Sequence, residues 1–165
     1  MSIYIFDFEG TLIQSLTQRG RASGYLTVLP RRQQVLAELA RAGHQVAIIA
    51  SQPGVAFGRY SEEQFRDWLG EALAELGLPE STPVRICYAD PHAKSAHYAD
   101  PGECARQKPA AAMIAETLAA AALPAADAAY VGDQPLDEAM ALSAGVRFWW
   151  ASQFFEGASR DIPAV

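Results

Sequence analysis

The sequence predicts an α/β domain: a parallel sheet with helices on both faces. Three observations carry that expectation. Short apolar runs alternate strictly with stretches whose apolar residues recur at helical spacing. Several of the runs end in polar or charged turns, at the carboxyl ends of strands, where an open parallel sheet forms its ligand crevice. The 165 residues, half of them hydrophobic, suffice for one core and one domain, 1–165.

Ile3-Tyr4-Ile5-Phe6 opens the chain as a buried strand and runs into Asp7-Phe8-Glu9-Gly10-Thr11-Leu12. Side chains two apart on an extended chain share a side, so Asp7 and Glu9 can face one small volume. They would repel unless a cation or a proton lay between them. Taken alone, the pair fits an ordinary acidic turn as well as it fits a site. From Ile13 to Leu29 the apolar periodicity lapses, and a loop or flap over the strand end is expected. Arg19, Arg21 and Arg31-Arg32 bring positive charge near the acidic turn, although any single one of them reads first as a solvated surface residue.

Pro30 suits the first turn of a helix carried by Val35, Leu36 and Leu39 and stopped at Gly43. Val46 to Ala50 forms the second strand, ending in Ser51-Gln52-Pro53-Gly54. Ser61 and Gln64 make a capping box for a helix that buries Phe65, Trp68, Leu69, Ala72, Leu73 and Leu76 and closes at Gly77. Val84 to Tyr88 reads as the third strand, followed by a long polar loop to Gln107. Lys108-Pro109 opens an Ala-rich helix through Leu123. Ala128 to Val131 is the fourth strand, leading into Gly132-Asp133-Gln134-Pro135-Leu136-Asp137. A short helix through Ser143 and a strand from Val146 to Trp150 complete the alternation. The tail, Ala151 to Val165, is expected to pack Phe154-Phe155 on the body or on a second subunit.

A net charge of −6 argues against nucleic acid or an anionic membrane as the main partner. No apolar run approaches a membrane span, and Met1-Ser2 leads straight into a strand. A small-molecule partner, a cytoplasmic location and a monomer or homodimer are therefore expected. Cys87 and Cys104 are too few for a disulfide framework and read as thiols or metal ligands.

Polar residues now stand at four element ends: Asp7 and Glu9, Ser51, Lys108, and Asp133 with Asp137. In that order, the set resembles the haloacid dehalogenase superfamily of aspartyl-phosphate phosphohydrolases. Gly24-Tyr25-Leu26, the turn from Gln52 to Gly58, Tyr60 to Phe65 and the cysteine loop before Lys108-Pro109 are similar to its heptose bisphosphate and histidinol-phosphate phosphatase branch. The resemblance implies a three-layer Rossmann-like fold, first strand central, with no separate large cap domain. It also implies a Mg²⁺-dependent phosphatase acting on a small phosphorylated metabolite. Asp7 would be the nucleophile, Glu9 the general acid and base, and Lys108 the group stabilising Asp7 and the phosphoryl charge. The magnesium site would draw on Asp7, Asp133, Asp137 and the Glu9 main-chain carbonyl. Gly10, Thr11, Ser51 and Gln52 would meet the substrate; Arg59, in the turn after Ser51, reads equally as a contact for a substrate anion and as a surface residue.

Four departures from the family pattern bear on these roles. Glu9 stands where Asp is usual, Ala50 where relatives place a phosphate-binding Thr with Ser51 after it, and Gln107 where the branch has Arg. Ser51 is expected to take over the missing hydroxyl's part. In zinc-holding relatives a Cys-x-Cys precedes the Lys; here Cys104 has Arg106 in place of its partner. Cys87, His92, His97 and Cys104 still form a set compatible with tetrahedral zinc, the alternative being a metal-free loop with a buried Cys87. The metal-free loop is preferred. Together the departures keep a second function open, a catalytically weakened phospho-ligand binder or regulatory module on the same fold. A third, weaker reading takes Phe148-Trp149-Trp150 and Phe154-Phe155 as an exposed subunit interface.

Overall fold

The computed structural model describes residues 1–15 and 26–156. Arg19, Arg21, Gly24-Tyr25 and the tail beyond Glu156, all named above, lie outside the described residues. Five strands, β1 (Ile3–Asp7), β2 (Gln45–Ser51), β3 (Val84–Cys87), β4 (Ala128–Gly132) and β5 (Arg147–Trp150), form one parallel sheet in the order β3-β2-β1-β4-β5. The first strand is central, and the chain reverses its direction of travel across the sheet between β1 and β4. In an open α/β sheet that switch point, at the carboxyl ends of the strands, is where a ligand crevice opens. Asp7 ends β1 and Asp133 follows β4, so both carboxylates arrive there.

Alternation along β1 decides which layer each residue joins. Tyr4 and Phe6 enter one core with Ile48, Ala50 and Val131, covered by α1 (Arg32–Arg41), α3 (Glu62–Leu76) and α7 (Ala151–Glu156). Ile3 and Ile5 enter the other with Ala47, Ile49 and Tyr130, covered by α5 (Ala112–Ala121) and α6 (Pro135–Ala144). Asp7 has the parity of Ile3 and Ile5, which turns it toward the α5 and α6 layer. Two short helices, α2 (Pro53–Ala56) and α4 (Pro101–Cys104), sit in the connections that follow β2 and β3. Among the described residues no separate cap domain is formed, and no helix is long and apolar enough to cross a membrane.

The capping box at Ser61 and Gln64 and the Gly77 stop, at φ 71°, are as expected. Three expectations are corrected. α1 starts at Arg32, not at Pro30, because Arg31 takes a left-handed φ of 67° and breaks the chain away from Pro30. α5 starts at Ala112, not at Lys108, because Ala110 N closes a turn on the Gln107 carbonyl at 2.8 Å and leaves Lys108 on a loop. The aromatic cluster is not an exposed interface: Phe154 and Phe155 are buried, with ring centroids 5.6 and 5.7 Å from Phe6, and Phe148, Trp149 and Trp150 are half-buried. On the described residues the tail therefore packs on the body.

Candidate active site

Lys108 reaches down from the loop between α4 and α5 and places Nζ between two carboxylates. It donates a very short hydrogen bond to Asp7 Oδ1 and another, of 2.6 Å, to Asp137 Oδ1. Asp137 is completely buried in the first turn of α6. Its Oδ1 also accepts from the Tyr130 hydroxyl at 3.2 Å, and its Oδ2 from the backbone amides of Asp133 and Gln134 at 3.1 and 3.0 Å. Those amides belong to the turn entering α6, where unpaired N–H groups and the helix dipole favour an anion. Asp133 stands beside them, with Thr11 Oγ1 at 3.5 Å from its Oδ1 and Gln134 Nε2 donating to Oδ2 at 2.9 Å. Gly10 makes room for Asp133: at φ +83° a side chain there would be strained, and its Cβ would fall 2.2 Å from Asp133 Oδ2.

Asp7, Asp133 and Asp137 each present a carboxylate oxygen within 4.8 Å of the others. Three acids thus surround one ammonium. Burial raises the Asp7 carboxyl, Lys108 opposes it, and the charges of Asp137 and Asp133 add to the rise, leaving it at about 7. Burial works against charge on Lys108, yet Asp7 and Asp137 outweigh it and hold the amine above its ordinary range. The site is short of positive charge, and its donors are hard oxygens of the kind that Mg²⁺ selects.

Beside the acids opens a cavity of about 260 Å³ whose walls include Asp7, Glu9, Ser51, Gln52, Arg59 and Lys108. Ser51 Oγ is buried in this wall without a hydrogen-bond partner, whereas Ala50 packs in the core on the other face. An unpartnered buried hydroxyl is costly, and a ligand oxygen would satisfy it. Glu9 stands apart from the three aspartates: Gln52 Nε2 donates to its Oε1 at 2.8 Å and Ser15 Oγ to its Oε2 at 3.3 Å.

The family model for haloacid dehalogenase-like hydrolases matches residues 102–151, the stretch holding Lys108, Asp133 and Asp137. Over 112 residues the chain is 28% identical to the D-glycero-beta-D-manno-heptose-1,7-bisphosphate 7-phosphatase of Yersinia pestis, covering 66% of this chain and 58% of that protein's length. Among solved structures, a HAD-like protein from Mesorhizobium loti superposes with a TM-score of 0.79 at 22% identity, over 91% of this chain and 72% of the other. The D,D-heptose 1,7-bisphosphate phosphatase of B. bronchiseptica, complexed with magnesium and phosphate, gives 0.73 at 24% identity, over 99% of this chain and 89% of the other. The chain is similar to haloacid dehalogenase-like hydrolases in sequence over residues 102–151 and shares the fold of these structures.

Within that fold, the expected residues do not all come together. Asp7, Glu9, Ser51, Gln52, Arg59, Lys108 and Asp137 line one cavity, and Asp133 presents a carboxylate oxygen within 4.8 Å of those of Asp7 and Asp137. Gly10 opens instead on a neighbouring cleft with Glu9 and Asp133. Thr11 is fully buried, so the expectation that it meets substrate is corrected: it buttresses Asp133 and accepts Arg32 Nε on its carbonyl at 2.8 Å. The zinc set does not assemble. Among the described residues, the three aspartates are the one group of His, Cys, Asp and Glu that converges on a common point. Cys87 Sγ lies against the Glu103 carbonyl at 3.5 Å, Cys104 Sγ against that of Tyr98 at 3.9 Å, and the His97 ring packs on Tyr98. Arg106 braces the loop by clasping Glu116 with two hydrogen bonds of 2.9 Å and Glu103 with one of 2.7 Å. Gln107 is tied to the Ala89 carbonyl and does not line the cavity beside the acids. Sequence reasoning missed Tyr130 and Tyr60, since an apolar strand and a helix approach carry no signal of which hydroxyl will be turned inward.

Proposed function

We propose that the chain is a Mg²⁺-dependent phosphomonoesterase that hydrolyses a small phosphorylated metabolite through a phosphoryl group carried on Asp7. The observation that carries this reading is the buried Asp7 carboxylate at the end of the central strand, held by Lys108 and joined by Asp133 and Asp137 beside a small polar cavity. The similarity to the heptose bisphosphate phosphatases of Yersinia pestis and B. bronchiseptica favours a phosphorylated sugar.

The acid-rich, cation-poor donor set fits a divalent ion. Asp7 and Asp133 would hold it, with the Glu9 main-chain carbonyl. Asp137, whose two oxygens already accept four hydrogen bonds, would supply charge and aim Lys108. Bound there, the ion would neutralise the repulsion between the carboxylates and the phosphate. Asp7 then attacks phosphorus as the bond to the leaving oxygen breaks, and Glu9 gives that oxygen its proton. In the second step water attacks phosphorus, Glu9 takes the water's proton, and the Asp7–phosphorus bond breaks, restoring the carboxylate. Lys108 stays protonated throughout and stabilises the charge on Asp7 and on the phosphoryl oxygens. The Ser51 hydroxyl offers a phosphate oxygen the hydrogen bond that it otherwise lacks.

Hydrolysis of p-nitrophenyl phosphate with Mg²⁺ tests the reading. Asp7→Asn should retain less than about a thousandth of the wild-type kcat; equal rates in the two proteins would reject the mechanism. The second reading, a weakened phospho-ligand binder, is favoured by Ala50, which supplies no hydroxyl beside that of Ser51. Calorimetric binding of a phosphosugar without turnover would decide for it.

A further inference from the structure

Glu9 is longer by one torsion than the aspartate usual at its position, and an unrestrained carboxylate on that stem would sample a wide arc. The structure restrains it. Gln52, only 1% exposed, donates Nε2 to Glu9 Oε1 and accepts the Tyr60 hydroxyl on its own Oε1 at 2.6 Å. The direction of this chain follows from the groups themselves: phenol donates, amide carbonyl accepts, amide N–H donates, carboxylate accepts. Turning the amide over would set its oxygen against an ionised carboxylate. The Tyr60 hydroxyl, donating to that oxygen, opposes the turn.

Both ends of the chain are built in. The main-chain N–H of Gln52 donates to the Cys87 carbonyl at 2.8 Å, which continues the pairing of β2 with β3, and the Tyr60 ring packs edge-on against Trp68 at 5.3 Å. Gly54 passes so close that a Cβ there would lie 2.5 Å from the Tyr60 hydroxyl oxygen. Its φ lies outside the left-handed region, so glycine is required here for the space that Tyr60 occupies, not for backbone conformation.

We infer that Tyr60 and Gln52 are positioning residues that hold the Glu9 carboxylate in one place and reserve its Oε1 as an acceptor, so that the proton it exchanges with the leaving group resides on Oε2. The inference rests on Glu9 as the acid and base of the phosphatase reading. A proton on Oε1 would meet the Gln52 N–H; on Oε2 it meets the longer Ser15 contact, whose hydroxyl can turn to accept it. Fixing the acid matters because a catalytic group about 1 Å out of place can cost 10²-fold.

The test is the dependence of kcat/KM on the leaving group, measured with p-nitrophenyl, phenyl and p-methoxyphenyl phosphate for the wild type, Glu9→Gln, Tyr60→Phe and Gly54→Ala. The more basic the departing phenol, the more it needs the proton. Loss of the acid in Glu9→Gln should widen the p-nitrophenyl to phenyl ratio by about 10²-fold, and Tyr60→Phe and Gly54→Ala should each widen it by about tenfold. Tyr60→Phe keeps the ring and its contact with Trp68, so it tests the hydroxyl alone. If Glu9→Gln widens the ratio while the other two variants slow all three esters equally or leave them unchanged, the positioning role is overturned and the phosphatase reading stands. If the wild type turns over none of the esters, or Glu9→Gln keeps the wild-type ratio, the reading of Glu9 fails and this inference falls with it.

Discussion

Lys108 and Arg106 leave the same loop two residues apart and enter opposite kinds of environment. Lys108 is 11% exposed, wedged between Asp7 and Asp137 at 9% and 1%, with Asp133 adding a third acid to the cluster. Arg106, at 24%, lies against Glu116 and Glu103 at 39% and 53%, and Arg85 approaches Glu116 at 3.8 Å. In the second cluster two guanidinium groups answer two carboxylates, so its charges are balanced within the fold. In the first, one ammonium lies among three carboxylates, two of them buried, and burial makes the imbalance costly. A balanced exposed network braces a loop. An unbalanced buried one is the kind of cluster that the proposed function would complete with a cation.

The sharpest way to break this contrast is to remove each cation in turn. Lys108→Met should lower kcat by about 10²–10³-fold, the range for losing one preorganised charge at a reacting centre. Arg106→Met should leave kcat within a few-fold and cost stability by about 1 kcal/mol, read from thermal unfolding. Comparable losses of kcat in the two variants would show that Arg106 acts on the chemistry through Lys108.

Metal addition sharpens it further. At a hundredfold excess over Kd, Mg²⁺ should stabilise the wild type by about 2.7 kcal/mol, seen as a rise in Tm. Asp133→Asn should lose most of that rise, and Arg106→Met should keep it. A rise preserved in Asp133→Asn would place the ion elsewhere.

Much of this was legible in the sequence, for physical reasons that differ by element. The apolar runs of β1, β2 and β4 are buried on both faces, so they read as strands without alternation, and the α3 helix carries its own capping box and glycine stop. The acids of the site were legible because they end strands or begin a helix. Helix starts marked by Pro30 and Pro109 were not, because tertiary contacts set them. Arg32 is buried, donating to the carbonyls of Thr11 and Pro30, and Gln107 is tied to Ala89, so each helix begins only after those ties are made. Cys87, His92, His97 and Cys104 suggested a metal by residue type. Convergence depends on the path of the loop, and that path is set by Arg106 on Glu103 and Glu116. The Tyr60–Gln52–Glu9 chain joins β1, the β2–α2 turn and the approach to α3, and such a link leaves no periodic trace in any one of them.

The smallest expected effect probes the balanced cluster by pH. The Glu116 carboxyl lies below its ordinary value, chiefly because Arg106 donates to both its oxygens, with burial pushing the other way. A carboxyl depressed in the folded state contributes stability above its unfolded pKa, here 4.5, and loses it as the pH falls through the lower folded value. At 39% exposure solvent screens much of the pair, so the contribution lies within about 0–1 kcal/mol. Glu116→Gln should therefore melt below the wild type by at most about 2–4 °C at pH 7. That gap should close as the pH drops below 4.5, because the wild-type carboxyl becomes neutral too. A gap that persists in acid would mean that Glu116 matters for packing and not for its charge, and the Arg106 cluster would then owe its stability to something other than the ion pair.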